Sequence, residues 1–402
     1  MLNLLNKNIN FYSFIFFMLY FFIQPLLQYE FFLKNINDYL EFSLLLTFSV
    51  YVIIQIKYFF NLKKLYFTTF DILVLVFFLN MLIQILIDYT MYSSVHILFK
   101  RNIVILLYAI MFYYFGKSFF DIKKYFKYFL IAYFILTLEK LLNLDFSSFH
   151  IIIQHTINIG NIQTSNTTSL YLYLGDTFAI LSLLILTFLE SKYVKIFFIF
   201  VSLLVLYTIY SRTSLYLYFI VAFIYIKKEF NLKTKLIVFT IFILFMITII
   251  NYFDFNKLEN TRMLSFLFSG HDASLNGRLE QINSGLNGLF NNFIIGDYGG
   301  QYFNSHSFGS YMHNILSYIR QFGIISIVLF LFLFYKIIKL YILFTKNYFD
   351  SNVEYIFYIS LFIFLEVFLA RSYISPLLWF AFGMLSNTNN LSNHLIKKGN
   401  YI

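Results

Sequence analysis

Apolar residues run in long stretches along nearly the whole chain, and polar residues collect in the gaps between them. A helix needs about 20 apolar residues to cross about 30 Å of hydrocarbon. On that measure the pattern predicts twelve spans, near 11–28, 39–56, 70–87, 103–120, 125–142, 169–189, 193–210, 214–226, 236–253, 314–335, 353–369 and 373–386. The expected fold class is all-α, a polytopic integral membrane helical bundle forming one domain over 1–402. The apolar start at about 11–28 has no small-residue cleavage site, so it reads as a first span rather than a removed signal peptide. Two gaps are long, about 143–168 and about 254–313, and the second is expected to form a large outer loop subdomain between spans nine and ten. That loop holds eight of the fourteen glycines, which implies tight turns and close backbone approach. Within it Leu275, Leu279, Ile282, Leu286 and Leu289 recur at helical spacing. They predict an amphipathic helix that lies against the membrane or caps the bundle.

Charge gives the gaps a side. Of 29 cationic residues six are arginine, and all six (Arg101, Arg212, Arg262, Arg278, Arg320, Arg371) fall in one alternating set of gaps. Nineteen lysines, from Lys7 to Lys397 and Lys398, fall in the other set. Lysine marks the cytoplasmic face during insertion, so both termini are expected there. Arginine on the opposite face has no topological task. Its planar, permanently charged fork binds phosphate and carboxylate at two points, which makes the outer face the working face and its substrate anionic. Only 12% of residues are charged, against about a quarter in soluble domains, which excludes a soluble globular class. The net charge of +10 points to anionic membrane lipid and not to nucleic acid. The chain has no cysteine and therefore no disulfide, thiolate nucleophile or Cys-metal site. The 57 Phe and 35 Tyr accompany a general Ile, Asn and Lys bias, so aromatic runs carry no functional weight.

Several polar residues stand where the hydrocarbon makes them costly. Arg212 precedes an apolar run of only about thirteen residues, Leu215 to Lys227. A helix that short covers about 20 Å, so the Ser211-Arg212-Thr213 hairpin is expected to be recessed. A guanidinium there needs a polar cavity or a partner, or else snorkels to the headgroups. Arg371 lies in a second tight connection, before Pro376, with Glu366 as its structural alternative to a substrate. His313, Ser317 and Arg320 fall at i, i+4 and i+7 and predict a polar helix face flanked by Asn314 and Gln321. His313 is a candidate proton acceptor near neutral pH. The bland alternative is a solvated interfacial histidine. Asp176 is either a packing or a pathway residue. There is no HExxH and no outer Asp-x-Asp, so no metal chelating a nucleotide sugar is expected.

The order and sidedness of these pieces carry a resemblance. A Ser-Arg pair heads a short span, and Asn276-Gly277-Arg278 opens a helix in the long outer loop. Gly296-Asp297-Tyr298-Gly299-Gly300 follows, then His313-Asn314-Ile315-Leu316, with Gly323-Ile324 inside the next span. The chain resembles the O-antigen polymerase and O-antigen ligase superfamily of bacterial envelope glycosyltransferases, with specific motifs over about 211–330. It departs where ligase-type members often carry an aromatic after the loop arginine and an acidic residue before the span glycine. Here those places hold Leu279-Glu280-Gln281 and Arg320-Gln321-Phe322. The departures and the size favour a polymerase.

The resemblance implies polymerisation of undecaprenyl-pyrophosphate-linked oligosaccharide repeat units at the outer face of the bacterial inner membrane, into O antigen or capsule. It implies His313 as catalytic residue and Arg212, Arg278, Asn314, Arg320 and Arg371 as substrate-binding residues, with no metal and no cofactor. The implied partners are the lipid-linked oligosaccharide and a chain-length regulator protein. Within the family the alternative is a ligase acting on lipid A-core. Outside it, a flippase for lipid-linked repeats would predict internal repeats and short loops on both sides. A structural scaffold would leave the sorting of the arginines unexplained.

Overall fold

The structure is a computed structural model and describes residues 11–26, 69–91, 96–119, 122–142, 144–145, 150–151, 167–209, 211–230, 240, 273–300, 312–345 and 351–386. The helices are α1 (Phe11–Leu26), α2 (Thr69–Met91), α3 (His96–Ser118), α4 (Phe126–Leu142), α5 (Thr167–Phe188), α6 (Lys192–Thr208) and α7 (Arg212–Glu229). Beyond them come α8 (Ala273–Asn291), α9 (Leu316–Phe322), α10 (Ile324–Thr345), α11 (Ser351–Leu369) and α12 (Leu377–Ser386). One antiparallel pair interrupts the helices, β1 (Leu144–Asp145) on β2 (His150–Ile151), with Leu144 opposite Ile151. The described chain is thus helical apart from that two-residue ladder.

Helices α2 and α10 are long and apolar enough to cross a membrane, over Phe70–Ile87 and Ile324–Ile342; a third crossing results if α3 and α4 count as one broken span. Phe11–Leu26, Leu172–Phe188 and Leu377–Ser386 are apolar helix below that length. Of the twelve expected spans, 39–56 lies outside the described residues, as does 236–253 apart from Thr240. The others coincide with helices, with two changes of substance. The expected 314–335 span is broken: α9 ends at Gly323, whose φ of 67° suits glycine, and α10 begins after it. The expected thirteen-residue segment at 214–226 is the 18-residue α7 starting at Arg212. At 1.5 Å per residue it is about 27 Å long. The argument from a short helix for a recessed Arg212 therefore falls.

Contacts divide the chain into two compact units rather than one domain with a separate loop. The first is Met1–Phe14, Thr47–Ile122 and Ser274–Ile402; the second is Ile15–Leu46 and Lys123–Ala273. The cut falls inside the expected loop subdomain, so that α8 from Ser274 onward belongs to the first unit.

The core of the first unit is α12, in which all ten residues are buried. It crosses α3 at two glycines. A Cβ on Gly116 would strike the Phe380 carbonyl oxygen, and one on Gly383 would strike that of Tyr113. Small residues let helix backbones close in this way where no hydrophobic gradient drives them together. Trp379 packs on Phe77 and Phe78 of α2 and on Phe382 of its own helix. One polar group of this core is satisfied within it: Asp71 accepts from the Tyr113 hydroxyl and from Lys117 Nζ, the latter at 2.7 Å.

In the second unit α5 is the central helix, buried at every position from Leu174 to Phe188. A helix apolar all round takes that place. Tyr133 of α4 stacks on Phe178 and Phe198 and shares a 2.8 Å hydrogen bond with Ser202 of α6. Lys195 of α6 pairs with Glu229 of α7 at 3.3 Å.

Candidate functional site

Three segments of the first unit converge on His313. Arg278 stands near the start of α8, His313 in the bend before α9, and Arg371 in the connection from α11 to α12. The imidazole pKa is pushed down to about 4, first by burial, then by the charge of Arg278, then by that of Arg371. Burial and neighbouring cations both disfavour imidazolium. His313 is therefore neutral at neutral pH, with a ring nitrogen able to accept a proton. The charges of both guanidiniums reach it, and that of Arg371 is partly offset by Glu366.

Each of these side chains is held by its own local structure. Arg371 follows the end of α11; its N–H donates to the Glu366 carbonyl at 2.9 Å and its Nη2 lies 3.4 Å from Glu366 Oε2. The expected Glu366–Arg371 pair therefore forms, on a carboxylate that is itself buried. The turn is fixed again two residues on, where the Tyr373 N–H donates to Ser317 Oγ at 3.0 Å. Asn314 Oδ1 accepts the Leu316 N–H at 3.0 Å and so caps the entry to α9.

The predicted polar face of His313, Ser317 and Arg320 does not form as one helical stripe, because α9 begins at Leu316 and His313 precedes it. The three side chains take separate tasks instead. Ser317 holds the Arg371 turn. Arg320, only 1% exposed, turns to Asp297, with Nη2 2.8 Å from Oδ2. Two backbone bonds lock the same contact: the Asp297 N–H donates to Arg320 O at 2.6 Å and the Gly299 N–H donates to Gln321 Oε1 at 2.9 Å. Gly288 of α8 makes room for the pair, since a Cβ there would lie 2.6 Å from Arg320 Nη2. Arg320 Nε and Nη1 have no hydrogen-bond partner among the described residues. Arg320, expected on substrate, thus ties the Gly-Asp-Tyr-Gly-Gly turn to α9.

Arg212 belongs to the second unit, as the first residue of α7. A buried chain of hydroxyls lies beside it. Ser211 Oγ is 2.6 Å from Ser214 Oγ, and Ser214 Oγ donates to Asp176 Oδ1 at 2.6 Å. Gly175 brings α5 close, as a Cβ there would strike Ser211. Asp176 is thereby a fixed carboxylate at a helix N-terminus, where the helix dipole favours negative charge. Its role as a packing residue of the Ser211-Arg212 turn was open in the sequence. Arg262, His155, His271 and His306 lie outside the described residues.

Asp297 and Gln321 stand out in the sequence only as neighbours of other residues, and Gly288 does not stand out. Gln84 had a visible signal: with Asn80 it is one of two amides inside an apolar run of α2, and a polar group there needs a partner. It finds one in the Ile295 carbonyl, to which Nε2 donates at 2.8 Å. Among the described residues no three His, Cys, Asp or Glu side chains gather to hold a metal ion. No family model, no curated protein and no solved structure matches the chain.

Proposed function

We propose that this chain is a membrane glycosyltransferase that polymerises undecaprenyl-pyrophosphate-linked oligosaccharide repeat units at the outer face of the bacterial inner membrane. What supports the reading is that the charges of Arg278 and Arg371, residues distant in sequence, reach the buried imidazole of His313 and disfavour its protonation, with Glu366 paired to Arg371. The resemblance in motif order supplies the reaction class. A hydroxyl oxygen of the acceptor sugar attacks the anomeric carbon of the donor. The bond from that carbon to the pyrophosphate oxygen breaks, and its electron pair leaves with undecaprenyl pyrophosphate. Arg278 and Arg371 hold the developing negative charge, which guanidinium does best at two points. His313 accepts the hydroxyl proton. A bound pyrophosphate raises the basicity of His313, since a nearby anion favours imidazolium. Arg320 holds the Gly-Asp-Tyr-Gly-Gly turn on α9 through Asp297, and the resemblance in motif order keeps Arg212 as a residue for pyrophosphate. In this reading the chain forms the full twelve-span bundle with both termini in the cytoplasm.

The test uses purified full-length protein in detergent, where transport across a membrane has no meaning. Given lipid-linked repeats, wild type should build a ladder of longer lipid-linked chains. His313→Ala should slow elongation by about 10²–10⁴-fold at matched protein level. His313→Gln keeps hydrogen bonding but not basicity, and should be nearly as slow. A ladder unchanged in His313→Ala removes the residue from the mechanism; no elongation by wild type sinks the reading.

A further inference from the structure

Among the described residues of the outer loop, the end of α8 and the turn that follows it expose a group of large apolar side chains. Phe290 is 70% exposed, Ile294 73% and Ile295 65%, with Phe293 beside them. In water such a cluster would be a liability. Its anchoring places it elsewhere. The Ile294 carbonyl accepts the N–H of Ile324, the first residue of the apolar span Ile324–Ile342. The Ile295 carbonyl accepts from Gln84, which lies three residues before the end of the span Phe70–Ile87. Both partners stand within membrane-crossing segments, so the turn sits at their depth. Exposed Ile83, Leu86 and Ile87 of α2 and Ile324 and Val328 of α10 continue the same apolar surface.

Irregular backbone at hydrocarbon depth is tolerated only where its polar groups are paired. Here they are. Beyond the two carbonyls just named, the Asn292 N–H donates to Gly288 O at 3.2 Å and the Gly296 N–H to Asn292 O at 2.7 Å. Gly323 permits the close approach, since a Cβ there would strike the Ile294 carbonyl oxygen. Gln84 is a buried amide whose cost inside an apolar helix is offset by receiving this turn.

We propose that the stretch Phe290–Ile295 is a membrane anchor: the side chains of Phe290, Phe293, Ile294 and Ile295 enter the outer leaflet and contact lipid acyl chains. The amphipathic helix α8 is thereby pinned to the bilayer at its C-terminal end, and the depth of Arg278 at its other end is set by that anchor. The inference rests on α2 and α10 crossing the membrane and is independent of the reaction catalysed.

The chain has no cysteine, so single labels are unambiguous. A nitroxide is placed at Ile294→Cys, and in separate proteins at Leu331→Cys, on the exposed face of α10, and Ser284→Cys, on the exposed face of α8. The full chain is reconstituted in vesicles of phosphatidylethanolamine and phosphatidylglycerol. Collision rates are measured with oxygen, which concentrates in hydrocarbon, and with a neutral nickel chelate, which stays in water. The label at Ile294→Cys should match that at Leu331→Cys, favouring oxygen several-fold, while the label at Ser284→Cys favours the chelate. A label at Ile294→Cys that behaves like the one at Ser284→Cys overturns the anchor. So does a label shielded from both reagents, which would mean a protein partner or second copy covers the turn. A water-exposed label at Leu331→Cys would overturn the membrane reading of α10 and the anchor with it.

Discussion

His313 is poised by its neighbours more than by its own chemistry. Burial, Arg278 and Arg371 in that order hold its pKa at about 4, below the ordinary 6.5. The unfolded chain therefore binds more protons between those values, and stability contributed by this site falls as pH drops from 6.5 through 4. The same shift fixes an activity profile. In the free enzyme, kcat/KM should hold level down to about pH 5 and fall near pH 4 as the imidazole protonates. Arg278→Gln should move that acid limb upward, toward 6.5, without reaching it, because the contribution of burial stays. A wild-type limb near 6.5 would show that His313 is not the group being titrated. At this scale the sequence was informative where a residue type was out of place. Arginine on the outer face and histidine at a span entry are such cases. It was silent where a residue was in place, as with Asp297, an ordinary acid in a glycine-rich loop whose partner is 23 residues away.

Helices were legible because apolar runs report them directly; their ends and breaks were not. Gly323 lies inside the expected 314–335 span, yet its positive φ separates α9 from α10. Nothing in hydrophobic spacing reports a backbone dihedral. The start of α7 was missed because Ser211-Arg212-Thr213 reads as a polar hairpin, whereas Arg212 already belongs to the helix. The two-residue ladder of β1 and β2 is too short to show a period at all. Two glycines of α8 give a paired prediction about its interior. A Cβ on Gly277 would meet no atom within 4 Å, whereas one on Gly288 would press on Arg320 Nη2 and Asp297 Oδ2. Gly277→Ala should stabilise the protein by about 0.5–1 kcal/mol through helix propensity alone. Gly288→Ala gains the same propensity but crowds a buried ion pair, and should come out destabilised by about 1–3 kcal/mol. Thermal unfolding in detergent separates the two. Equal stabilisation of both would mean that the Arg320–Asp297 contact yields without cost.

At the scale of the molecule, lysine and arginine sorting predicts which side α8 faces. Cysteine introduced at Ser284 should react with a membrane-impermeant thiol reagent in intact cells whose outer layer has been made permeable. Reaction only after lysis would reverse the topology. Division into two units was not legible, because the apolar runs of both are alike and nothing in their spacing says which helices pack together. One consequence concerns bilayer thickness. Helix α12 is about 15 Å long at 1.5 Å per residue, half of a hydrocarbon core, and all its residues are covered by protein. Lipid never touches it, so a hydrophobic mismatch cannot be felt there. Thicker or thinner bilayers will tilt or stretch the lipid-facing α2 and α10. The Arg371 turn, fixed to α11 through Glu366 and to α9 through Ser317, keeps its depth relative to α12. The guanidinium is thus held at a level set by the protein's own frame, which lets one arrangement of the Arg371 turn persist in membranes of differing lipid chain length.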